Sequence, residues 1–144
     1  MQNRRAFIKQ SCGLCLGVVG LGVLATQLTS CAPLPLYKSD GDKNNITVPF
    51  TAFTEKSNMV IVRNPNQEFD ILLIKRADGS YYAMQMKCTH QDNPLTVNQS
   101  GLFCSAHGST FDLDGKVTKE PALRPLQTFK TEINNSSVLI HIVS

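Results

Sequence analysis

Cys88-Thr89-His90 and, fourteen residues further on, Cys104-Ser105-Ala106-His107-Gly108-Ser109-Thr110-Phe111-Asp112 are the two stretches that decide how this chain is read. Each supplies one thiolate and one imidazole. Soft thiolates and borderline imidazoles suit iron–sulfur iron or zinc, and not magnesium or calcium. Without a metal, the cysteines would be small buried hydrophobes and the histidines hydrogen-bonded core residues. Four such groups in two short loops argue for a metal instead. The ligand chemistry alone permits a structural Cys₂His₂ zinc site, the core of a zinc-stabilised binding module. Zinc fingers, however, usually draw two cysteines from one knuckle and two histidines from another, whereas here each loop mixes them.

The order Cys-x-His, then Cys-x-x-His-Gly continuing through HGSTFD, resembles the Rieske iron–sulfur family. The resemblance implies a [2Fe–2S] cluster in which Cys88 and Cys104 hold the inner iron while His90 and His107 hold the outer one. It gives the Ser109 hydroxyl a hydrogen bond to a bridging sulfide. It also places Phe111 where high-potential members have a tyrosine able to donate to a cysteine sulfur. Those members carry an extra cysteine in each loop, joined as a disulfide; CTHQDN and CSAH have none. One of three potential-raising features is therefore kept, and a middling potential, below quinol-oxidising members, is expected. Glu120–Leu126 (EPALRPL) resembles the family's proline loop, with Pro121 at the family's proline and Glu120 where glycine is usual. Electrons are expected to pass through His90 or His107. Gly108 is expected to let backbone approach the cluster, Asp112 to order its loop, and His141 to lie on the surface.

Short strands fill the rest of the body. Ile46–Phe53, Met59–Arg63, Phe69–Arg76 and Tyr81–Met86 are apolar or β-branched, and a turn at Asp78-Gly79 separates the last two. Leu102-Phe103 leads into Cys104. Thr110–Leu113 and Gly115–Lys119 form a hairpin about Asp114-Gly115, and Leu126–Ile133 and Ser137–Val143 another about Asn134-Asn135. No stretch after the first thirty residues sustains a 3.6-residue period. The expectation is an all-β fold, a sandwich or barrel. The resemblance, over residues 46–143, sharpens this to layered antiparallel sheets with a small cluster-binding subdomain.

Of 14 basic and 11 acidic residues, Arg4, Arg5 and Lys9 precede Cys31, so the remainder holds 11 of each. A near-neutral body excludes a nucleic-acid partner, which would need a basic patch. Residues 1–30 read as an export signal. NRRAFIKQ resembles the twin-arginine type, whose route carries folded, cofactor-loaded proteins. The apolar run from Leu14 to Ala25 is shorter than the roughly 20 residues that cross a bilayer comfortably. Leu28-Thr29-Ser30-Cys31 resembles a lipobox, making Cys31 the lipidated first residue of the mature protein; an uncleaved anchor is the alternative. Cys12, Cys15 and Cys31 belong to this segment, which leaves Cys88 and Cys104 in the body. Residues 31–45, rich in Pro, Gly, Asp and Asn, read as a linker. Its fourteen residues after Cys31 would reach about 45 Å if extended. Residues 46–144 form the cluster domain.

These readings converge on an exported, periplasm-facing, membrane-tethered Rieske protein that passes single electrons to or from an oxidoreductase or respiratory partner. A Rieske-type ferredoxin of an oxygenase system is the alternative within the family. An oxygenase in its own right would need a two-histidine, one-carboxylate iron site. Only His141 would remain to build it, so an electron-transfer protein or non-catalytic redox subunit is expected.

Overall fold

The computed structural model describes residues 33–142. The export segment, Cys31 and the last two residues lie outside that range. Strands β1 (Leu36–Lys38), β2 (Asn45–Pro49), β3 (Met59–Arg63), β4 (Ile71–Lys75), β5 (Tyr81–Gln85), β10 (Thr128–Ile133) and β11 (Ser137–His141) form one seven-stranded sheet. Its order is β1-β3-β4-β5-β10-β11-β2. Between β5 and β10 the chain makes a second sheet of four strands, β6 (Thr96–Asn98), β7 (Gly101–Phe103), β8 (Thr110–Phe111) and β9 (Val117–Lys119). The all-β expectation holds, and the small sheet is inserted between β5 and β10 of the larger one.

β4 explains how the two sheets combine. Alternate residues of a strand face opposite ways, yet Ile71, Leu72, Leu73 and Ile74 are all buried. Ile71 and Leu73 face a core shared with Val60, Val62, Ala83 and Phe129. Ile46 and Val48 of β2 join that same core. β2 lies at the far end of the sheet from β3, so the sheet curls until its ends share one interior, a nearly closed barrel. Leu72 and Ile74 face the other way, into a second core with Met84, Met86, Leu102 and Phe111. Cys88 and Cys104 sit in this second core. An apolar run without alternation is what a strand buried on both faces requires.

Two elements differ from the sequence reading. Residues 36–38, read as linker, form β1, which pairs in parallel with β3 in the register Leu36↔Ile61. Ile61 donates its N–H to the Pro35 carbonyl at 2.9 Å, and Ser39 donates to the Arg63 carbonyl at 2.9 Å. Leu34 rests on one core and Tyr37 on the other. Asn64, only 2% exposed, clips the following segment by donating to the Asp42 carbonyl at 2.6 Å. The physical reason is backbone pairing along an open sheet edge, which polar composition does not reveal. β6 was also missed. It is three residues long, and the Asn98 side chain fixes its turn into β7 by accepting the Ser100 and Gly101 N–H groups.

Candidate metal centre

β5 runs directly into the first loop. Leu95 donates to the Met86 carbonyl at 3.0 Å and Cys88 to the Asn93 carbonyl at 2.8 Å, closing a tight loop with His90 towards its tip. β7 delivers the second loop in the same manner. Cys104 donates to the Ser109 carbonyl at 2.9 Å, and Gly108 donates back to the Cys104 carbonyl at 3.0 Å. That return bend holds Gly108 at φ 83°, which a side chain would oppose. In both loops the cysteine occupies the base and the histidine the outer part. Cys88 and Cys104 are buried and free of disulfides. His90 is half-buried and His107 exposed. The two imidazoles meet edge to face, with centroids 4.9 Å apart and planes at 90°.

The third loop locks onto both. After the cis Glu120–Pro121 bond, the buried Ala122 donates its N–H to Ser109 Oγ at 3.0 Å. Thr89 Oγ1 donates to the Arg124 carbonyl at 2.6 Å. Thr89 stands between Cys88 and His90 and was not picked out from the sequence. Nothing in a lone threonine signals a bond across 35 positions.

The chemistry of the thiols suits a metal. Burial pushes the Cys88 thiol up, but N–H groups of His90 and Gln91, the Cys104 thiol and the Ser109 hydroxyl together bring it below the ordinary value. Hydrogen bonds that favour a thiolate favour a ligand. Ser109 thus accepts from Ala122, and its hydroxyl favours the thiolate form of Cys88. His90 Nδ1 is buried without any hydrogen-bond partner. A buried nitrogen left in that state costs about 1–3 kcal/mol, which a bound metal would recover. Ser39 Oγ and His141 Nε2 are also without a hydrogen-bond partner but stand apart from the sulfur donors.

Among the described residues, no three His, Cys, Asp or Glu side chains are placed to share one ion. The four donors fall instead into a buried sulfur pair and an outer nitrogen pair. That division fits a two-iron cluster better than a single tetrahedral zinc.

The remaining expectations are resolved nearby. Asp112 Oδ1 accepts the N–H groups of Asp114 and Lys116 at 2.9 and 2.8 Å, ordering the turn as expected. Phe111 fills the core at 1% exposure. His141 departs from the surface reading: it is half-buried on β11, with Nε2 3.4 Å from Glu132.

The Rieske [2Fe-2S] domain family matches residues 43–130. The chain belongs to the Rieske family. Domains of this family bind a [2Fe–2S] cluster. A curated relative, the chloroplastic cytochrome b6-f complex iron-sulfur subunit of Bigelowiella natans, is 36% identical over 73 residues. That match covers 47% of this chain and 29% of the relative, so the chain spans under a third of that protein. The plasma-membrane Rieske protein PetC3 from Synechocystis PCC 6803 superposes with a TM-score of 0.56 at 23% identity, covering 66% of this chain and 97% of that one. The crystallised complex of oxygenase and ferredoxin in carbazole 1,9a-dioxygenase contains a chain that superposes at 0.52 with 19% identity, covering 69% and 94%. These solved structures share the Rieske fold with this chain.

Proposed function

We propose that this Rieske domain is an exported, membrane-tethered one-electron carrier, with Cys88 and Cys104 on its inner iron and His90 and His107 on its outer iron. The buried, unpartnered His90 Nδ1 supports this most directly. It belongs to the outer donor pair, while the sulfur pair lies in the core beneath. When bound, the cluster takes up and releases one electron. Cys88 and Cys104 anchor it to the apolar core, which keeps water from the sulfur end. His90 and His107 bring the other end close to solvent, within reach of a partner. Hydrogen bonds joining three loops hold the donors still, so geometry changes little with charge. Arg4-Arg5 and the Leu28–Cys31 lipobox support export and lipid attachment at Cys31.

Low-temperature EPR of the dithionite-reduced protein, with iron and sulfide analysis, tests the centre. A rhombic signal from two irons and two sulfides per chain is expected, and its loss in His107→Ala. Colourless protein holding zinc would overturn the reading. Fractionation and lipid labelling of wild type and Cys31→Ser test the tether. The absence of cysteines beyond the two ligands in these loops favours the oxygenase-ferredoxin reading as second choice. Recovery in the cytoplasmic fraction would establish it.

A further inference from the structure

Two cations and a bulky apolar side chain stand beside the proposed electron exit at His90 and His107. Lys119, at the end of β9, reaches over the second ligand loop: a Cβ built on Gly108 would lie 4.0 Å from its Nζ. The Arg124 backbone is fastened to Thr89, next to His90, at 2.6 Å, and its side chain is exposed. Leu123, which precedes Arg124 in the same loop, is 80% exposed, the most exposed of the large hydrophobic residues described. Its neighbour Ala122 is held inward by Ser109, so the loop cannot readily turn Leu123 in. Among the described residues, neither Lys119 nor Arg124 forms an ion pair.

The opposing charges here are few. Glu120 is exposed within the same loop, and in the first ligand loop Lys87 and Asp92 neutralise one another at 3.0 Å. The side chains therefore sum to one positive charge; two thiolates and two neutral imidazoles on a [2Fe–2S] cluster would add none when oxidised and one negative charge when reduced. Beyond the export segment, basic and acidic residues are equal in number. The field at the exit thus comes from its own side chains, not from the charge of the whole body.

We propose that Leu123, Lys119 and Arg124 form the docking face for an acidic one-electron redox protein, with Leu123 as the apolar centre and the two cations as guides. This rests on the proposed electron exit. Cations at the rim raise the rate of encounter with an acidic partner. One exposed leucine gives a small apolar contact, suited to a complex that must dissociate after each electron. An anionic lipid surface is the competing occupant. Membrane-binding segments, however, carry four or more clustered cations, whereas this loop interrupts two with a glutamate.

Charged one-electron oxidants can read this field. The mature protein, reduced with dithionite, is mixed in stopped flow with ferricyanide, which takes one electron to become ferrocyanide. A parallel run uses a tripositive cobalt(III) phenanthroline complex, reduced to cobalt(II). With the reduced cluster counted, the wild-type exit is near neutral, so lowering salt from about 0.5 M to about 10 mM should change its rates little. Each positive charge removed about 10 Å from the encounter site should instead slow ferricyanide about fourfold at low salt and speed the cobalt complex comparably. Lys119→Glu with Arg124→Glu should slow ferricyanide and speed the cobalt complex at low salt, more than any neutral substitution. The milder Lys119→Gln with Arg124→Gln, which takes away two positive charges, should slow ferricyanide about tenfold at low salt and guards against misfolding in the first pair. Unchanged salt dependence in both pairs would overturn the docking face, as would binding of the wild type, but not these variants, to anionic phosphatidylserine vesicles. EPR on each sample separates this result from failure of the centre. A missing wild-type signal overturns the cluster assignment, while an intact signal with unchanged salt dependence overturns the docking face alone.

Discussion

Ser109 joins more of this centre than any other side chain. Its hydroxyl accepts the buried Ala122 N–H at 3.0 Å and favours the thiolate form of Cys88. Ser109→Ala should therefore act twice. It strands a buried N–H, which costs about 1–3 kcal/mol of stability by denaturant titration. It also removes a donor from the sulfur end. One hydrogen bond of about 1 kcal/mol corresponds to a fall on the order of tens of millivolts for a one-electron couple. Loss of stability with no fall in potential would leave Ser109 as a brace for the third loop and take it out of potential tuning. The sequence showed this serine through HGSTFD but not its grip on Ala122, because that contact depends on a loop arriving from thirteen residues away.

At the scale of elements, β4 divides the molecule's two cores. Leu72 faces the cluster side with Cys88 and Cys104, and Leu73 faces the barrel interior; both are fully buried. Either leucine changed to alanine should cost about 2–5 kcal/mol. Only Leu72→Ala opens space beneath the ligand loops. It should release the cluster faster on mild heating, followed by visible absorbance, while Leu73→Ala of equal stability retains it. Equal rates of release would show that the two cores do not act separately. β1 changes the reach of any tether. With Leu34 on the core and Pro35 bonded to Ile61, two residues, Ala32 and Pro33, separate Cys31 from the docked chain. From Cys31 to Leu34 the chain spans about 10 Å extended, against the roughly 45 Å of a free linker. A carrier tethered at Cys31 would then work close to its anchor.

For the whole molecule, charge predicts a broad plateau of stability with pH. Hydrogen bonds from Ser80 hold Asp78 below the usual carboxylate value. The hydrogen bond and charge of Lys130, then His141, do the same for Glu132. A depressed acid stabilises the fold above its unfolded pKa, and that contribution fades as pH falls through the lower folded value. Both groups are exposed, so this acid limb is shallow. Burial raises the Tyr81 phenol, whose ring stacks on Phe50 at 5.8 Å. A raised pKa stabilises the fold below the ordinary value near 10, and the contribution is lost as pH rises through the higher folded value. The urea midpoint should hold steady from about pH 6 to about pH 9 and then decline. Tyr81→Phe should reduce that alkaline decline, and an identical decline in the variant would rule out Tyr81 as its source.

The sequence by itself determined the chemistry: which four side chains could bind metal, in what order, and that short strands carry them. Ligand type and strand-forming residues are local properties, written in neighbouring letters. Only the tertiary structure decided that Cys88 and Cys104 pair in the core while His90 and His107 meet outside. It alone showed that Thr89 and Ser109 bind the third loop, and that a polar stretch before residue 45 serves as a sheet edge. Those contacts join backbone and side-chain groups far apart in the chain, and their partners are fixed only when the barrel curls and the small sheet folds down upon it.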